Sequence, residues 1–137
     1  MYSHIMIPVD LAHSDRLERA LRTGGDLAKL YGSDITFVGV TSNLPGAAAH
    51  TPQEYEGKLT DFARSQGETY GVSTAAKTVI SHDPAVDMDK LLLSTAEDIG
   101  ADLVVMATHV PHGIEWPSHG GHLAAHAGIS VMLVRSG

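Results

Sequence analysis

Five short apolar runs, each of about strand length and nearly unbroken, recur along this 137-residue chain, with segments of helical period between them. The runs are Ile5 to Val9, Ile35 to Val40, Thr78 to Ile80, Leu103 to Met106 and Val131 to Val134. A strand that is apolar at successive positions, not at alternate ones, is covered on both faces, as strands of a helix-flanked parallel sheet are. Strand, helix and strand in repeated alternation is the pattern of βαβ units.

The intervening segments carry helix signals. Ser14 is placed to cap a helix whose Leu17, Ala20, Leu21, Gly24, Leu27, Ala28 and Tyr31 recur at three and four residues, and Gly32 stops it. The turn-rich stretch 42–50 reads as an exposed loop. Thr51, Pro52 and Glu54 form a capping box with proline at the first helical position, ahead of an inward face of Tyr55, Leu59 and Phe62, and Gly67 and Gly71 weaken that helix's end. Asp83 and Pro84 start a third helix with Met88, Leu91, Leu92, Thr95, Ala96 and Ile99 on one face, and Gly100 ends it. An irregular loop is expected from Thr108 to Ser118, where Ser118 caps a short last helix.

Right-handed crossovers leave few ways to assemble five strands and four helices. The expectation is one α/β domain over residues 1–137, a doubly wound five-stranded parallel sheet of order 3-2-1-4-5 with helices on both faces. Such sheets bind ligands beyond the strands' carboxyl ends, where the strand order reverses. Here that point lies between the first and fourth strands, so Pro8, Val9, Asp10, Ala107, Thr108 and His109 should line the crevice.

Composition narrows the function. The net charge of −7, with nine scattered Lys and Arg, argues against nucleic acid as a partner. The opening MYSHIMIPVD is too polar for a signal peptide, and no segment approaches the roughly 18 apolar residues of a membrane helix, so no membrane partner and a cytoplasmic location are expected. The chain has no cysteine, which excludes thiolate catalysis and disulfides and is compatible with a reducing compartment. Neither a G-x-S-x-G elbow nor a Walker loop is present, and no catalytic residue is assigned.

IMIPVD on the first strand, IGADLVVMATH around the fourth and AHAGISVMLVR at the end together resemble the universal stress protein family along the whole chain. The resemblance implies an adenine pocket drawn from Pro8, Val9 and Asp10, from Val40 and from Met106. Asp10 can accept from an amine or hydroxyl there, or it can cap the following helix. His109 matches a histidine common in the family's loop, and its two readings are a ribose or phosphate contact and a loop-ordering hydrogen bond.

Many family members cradle ATP phosphates on a loop written G-x-x-G, a spacer, then G-S or G-T. Glycine admits phosphate close to backbone amides and allows positive φ. This sequence has Ala107, Val110 and Pro117 in place of the three glycines and keeps only Ser118. Proline also removes an amide donor. Ser118, His119 and Gly120, with Gly121, are placed to rebuild part of an anion site, so ATP or AMP is the expected ligand, with Mg needed only for a triphosphate.

His119, His122 and His126 share one helical face at spacings of three and four, which suits zinc, nickel or copper with His109 or His112 added, and equally suits a solvated face. No metal site is assigned to them. Trp116 reads as a packing anchor or as a lid over the crevice.

Three functions follow: a nucleotide-binding stress protein, a non-nucleotide adaptor or sensor dimer that has lost the phosphate loop, and a slow ATPase. The apolar fifth strand lies at a sheet edge, which together with the resemblance implies a homodimer joined through it.

Overall fold

The computed structural model describes residues 1–42, 44–45, 49–108 and 128–135 and, within them, the side chains of all but 84–87. Strands β1 (His4–Pro8), β2 (Asp34–Thr41), β3 (Thr74–Ile80), β4 (Leu103–Thr108) and β5 (Ser130–Arg135) form one sheet in the expected order, 3-2-1-4-5. Every neighbouring pair is parallel. Helices α1 (Glu18–Tyr31) and α2 (Pro52–Tyr70) cover one face, and α3 (Pro84–Asp98) covers the other.

The near-continuous apolar runs of β1, β2 and β4 have the cause inferred for them, whereas those of the edge strands β3 and β5 are half-buried to exposed. Ile5, Ile7, Phe37 and Val105 point to the α1/α2 side with Leu21, Leu59 and Ala63, while Met6, Val38 and Val104 point to Leu92 and Ala96 of α3. Ile5, Met6 and Ile7 are at most 1% exposed, and burying each such side chain contributes about 1.5–3 kcal/mol. Phe37 and Phe62 meet edge to face at 5.4 Å. Among the described residues, no helix is long and apolar enough to cross a membrane.

Several local expectations are corrected. Ser14 does not open the first helix. Asp10 caps a 3-10 helix over Leu11–Leu17, His13 leaves helical geometry at φ −133°, ψ 41°, and α1 begins only at Glu18. Tyr31 is not inward but 38% exposed, packed edge to face on Tyr2. β3 starts at Thr74, because pairing with β2 from Ile35 to Thr41 recruits Ala75, Ala76 and Lys77 despite their weak strand preference. α2 runs through Gly67 and stops at Gly71, which takes φ 67°. β4 includes Ala107 and Thr108, which pair with Val134 and Arg135, so Thr108 is strand and not loop. The cap assigned to Ser118 and the helix after it lie outside the described residues.

The amino end of β1 is tied to both neighbours. Asp102, just before β4, accepts the N–H groups of Ser3 at 2.9 Å and His4 at 3.0 Å, and its own N–H donates to His4 O. On the β2 side Asp34 N donates to Ser3 O, and His4 Nε2 lies 2.7 Å from Thr36 Oγ1. Burial pushes the Asp102 carboxyl up, but the N–H groups of Ser3, His4 and Asp102 itself, with His4's charge, outweigh it and hold the pKa below the ordinary 3.8. A depressed carboxyl pKa stabilises the fold above the unfolded-state value and loses that effect as pH falls through the folded one. Asp102→Ala should therefore cost about 1 kcal/mol in urea unfolding at pH 7. Its deficit against the parent should shrink once the pH drops below 3.8.

Candidate functional site

Pro8 shapes the carboxyl end of the sheet. Residues of β1 alternate in direction: His4 O accepts from Asp102 N on the β4 side, and Val9 N donates to Val38 O on β2. Even-numbered positions thus face β4, and at Pro8 there is no N–H to give it. β1 ends there, whereas β2 continues to Thr41 and β4 to Thr108. The two longer neighbours leave a notch whose floor is Pro8, Val9 and Asp10. This is the strand-order switch of the sheet, the place where α/β folds bind ligands.

Of the expected pocket residues in the described part of the chain, Val9 and Ala107 pack on the α1/α2 side of the sheet and Val40 and Met106 on the α3 side, all near the strand ends. Val9 is buried at 7% and Met106 at 9%, and Val40, Ala107 and Thr108 are half-buried. Asp10 is exposed, and its carboxylate has fixed partners: Oδ1 accepts from Ala12 N at 3.1 Å, and Oδ2 lies 2.9 Å from His13 Nδ1. His13 N also donates to Asp10 O. The capping role is therefore present. A carboxylate has about four acceptor positions, so these contacts hold its orientation and still leave it able to accept from a ligand. His109, Val110, Ser118, His119, Gly120, His122, His126 and Trp116 lie outside the described residues.

Three residues beside the notch, Gly39, Tyr55 and His13, were not assigned to it from the sequence. Gly39 stands on β2 one position beyond Val38, the last residue paired with β1, which puts it level with Val9. Tyr55, in the first turn of α2, lays its ring over Gly39. The helix start aims it there: Thr51 Oγ1 accepts from Glu54 N at 3.1 Å, and Tyr55 N donates to Thr51 O. Tyr55 is 4% exposed, and burial followed by the charge of Asp10 pushes its phenol up to about 12. The available signal was a strand glycine paired with a tyrosine where a core helix would take phenylalanine. His13, third in the turn after Asp10, is the other residue missed.

A separate groove of about 450 Å³ runs along the outer edge of β3, between Ala63 and Gly67 of α2 and Val72 and Ala76. It is the gap where a helix overhangs an edge strand. It lies at the amino end of β3, away from the strands' carboxyl ends.

The universal stress protein family model matches residues 1–135, and the chain belongs to that family. No curated protein matches the sequence significantly. Among solved structures, a universal stress protein in complex with cAMP is similar at TM-score 0.75 and 16% identity, with 99% of both chains covered. One from Archaeoglobus fulgidus gives 0.71 and 21%, covering 97% of this chain and 98% of its own. One from Arabidopsis thaliana with AMP bound gives 0.71 and 13%, covering 97% and 91%. At these identities the likeness speaks for the fold.

A methyl group on Gly39 would lie 2.6 and 2.8 Å from Cε1 and Cζ of Tyr55 and closer still to the hydroxyl. Gly39→Ala should therefore cost roughly 1–3 kcal/mol by overpacking. In a Tyr55→Leu background the same substitution should cost almost nothing, and thermal unfolding of the four proteins in this cycle checks both statements.

Proposed function

We propose that this protein is a nucleotide-binding stress-response or regulatory domain that takes an adenine nucleotide into the notch above β1. The observation that carries the reading is the strand-order switch, where β1 stops at Pro8 while β2 and β4 run on, and we assign Pro8, Val9, Asp10, Val40 and Met106 to the ligand there. Similar structures solved with cAMP, with dAMP and with AMP support it. The apolar residues supply a slot for a flat base, and Asp10 supplies an acceptor for an amine or hydroxyl. We assign no nucleophile or general base, so binding and not turnover is the activity proposed, with slow ATP hydrolysis ranked below it.

The phosphate end is weaker. Ala107, Val110 and Pro117 replace the glycines of the family's loop, and what remains for an anion is Ser118, His119 and Gly120. Mg enters only with a triphosphate. AMP should accordingly bind about as well as ATP in titration calorimetry. A full set of amide donors would favour ATP, since each charge-assisted hydrogen bond is worth roughly 1.5–3 kcal/mol. ATP binding tenfold tighter than AMP would mean a rebuilt phosphate site. No binding of either nucleotide would move the protein to the adaptor or sensor class, which the lost glycines favour.

The assembly proposed is a cytoplasmic homodimer paired through β5. Met132 and Leu133 are each 39% exposed on this edge strand, whereas Val131 packs into the α3-side core. Exposed apolar edge strands recruit a partner strand. A Met132→Lys, Leu133→Lys double variant should run as a monomer in light scattering while the parent runs as a dimer. A variant that stays dimeric would place the contact elsewhere.

A further inference from the structure

We propose that the Tyr55 hydroxyl is a ligand-binding group of the notch, a hydrogen-bond donor that works beside the acceptor Asp10 and selects a base offering an amine next to a ring nitrogen. The proposal rests on the adenine reading above and adds to it a specificity residue contributed by α2.

Tyr55 is 4% exposed, nearly as buried as Phe37 at 1%, yet it carries a polar group. No hydrogen bond among the described residues involves its hydroxyl. A hydroxyl without a protein partner is unfavourable compared with phenylalanine unless water or a ligand meets it. The oxygen is not sealed in. Among the described residues, the one fully enclosed side-chain oxygen without a partner is Thr78 Oγ1.

Position decides where the hydroxyl points. Its oxygen sits over Gly39, level with Val9, at the β2 side of the notch floor. Any side chain at Gly39 would push it away, so glycine on this strand and tyrosine on the helix form one arrangement. The charged group facing it is Asp10, whose carboxylate is held by Ala12 and His13 from its own turn. With its pKa pushed up to about 12, the phenol keeps its proton at every physiological pH and remains a donor.

A fixed acceptor and a fixed donor at one end of an apolar slot are complementary to a ligand edge that presents a donor and an acceptor side by side. Adenine has such an edge in its 6-amino group and ring nitrogen. A ligand lacking the ring nitrogen leaves the buried Tyr55 hydroxyl unmatched, and one lacking the amine loses its contact with the exposed Asp10. Leaving a buried polar group of a binding site unpaired is the strongest source of small-molecule discrimination.

The test is Tyr55→Phe, which removes one oxygen and keeps the ring. By calorimetry its AMP affinity should fall roughly 3- to 10-fold, the loss expected for one neutral hydrogen bond, while its melting temperature stays at or above the parent's. Purine riboside monophosphate, which lacks the 6-amino group, should bind more weakly than AMP to parent and variant alike, because its missing contact belongs to Asp10. If the parent binds AMP and Tyr55→Phe binds it equally well, the hydroxyl is not a ligand group, although the nucleotide reading survives. A melting temperature several degrees below the parent's would make the hydroxyl structural and also overturn the proposal. If removing the amine costs the parent nothing, the donor and acceptor pairing is wrong. Failure of the parent to bind AMP at all sinks the nucleotide reading and this inference with it.

Discussion

A missing amide hydrogen organises the functional end of this molecule. β1 is the central strand, flanked by β2 and β4, and a central strand would ordinarily pair along its whole length on both sides. At Pro8 the ring removes the N–H that alternation directs toward β4, so the ladder cannot continue on that side. The chain is released into the turn at Asp10 while β2 and β4 run on. At the opposite end of the same strand Asp102 binds Ser3 and His4 on the β4 side, and Asp34 N donates to Ser3 O on the β2 side. β1 is thus anchored at its amino end and cut short at its carboxyl end, and the notch is the difference in length.

The packing of the notch follows from a second local trade. β2 gives up a side chain at Gly39, which weakens a strand in isolation, and α2 fills the space with the ring of Tyr55. The apolar gain of a buried aromatic ring offsets the glycine. Ring and glycine together bring a polar atom to a place on the sheet that no residue of β2 itself could supply.

The sheet was legible in the sequence because its central strands are buried on both faces, and double burial leaves an unbroken apolar run. Strand order followed from the number of elements and the handedness of crossovers. Detail failed where the burial signal thins. β3 is an edge strand with alternating exposure, so Ala75 and Lys77 did not read as strand until β2 paired with them. The entry to α1 was misplaced because Asp10 outcompetes Ser14, taking Ala12 N and His13 with its two oxygens before a regular helix can start. In the site, the β1 and β4 residues were visible as strand ends, whereas Tyr55 scored as one more apolar residue on a helix face. Its relation to Gly39 is sixteen residues away in sequence and appears only when α2 docks on β2.

The protein's charge then bears on where affinity must come from. At −7 overall, the long-range field opposes an anionic ligand. Glycines that would let phosphate approach backbone amides are replaced, beginning with Ala107, which is committed to β4 through its pairing with Val134. Attraction at the phosphate end is therefore poor by both short-range and long-range routes. In the proposed reading the notch offers apolar surface from Val9, Val40 and Met106, an acceptor at Asp10 and a donor at Tyr55, all acting on a base and not on a phosphate. Dispersion contacts and a neutral hydrogen bond at the base are not screened by salt, whereas the repulsion between the net charge and an anionic ligand is. Affinity resting on the base should therefore not fall as ionic strength rises. A phosphate cradle would reverse that dependence, and the residues that would build one are those this chain has exchanged.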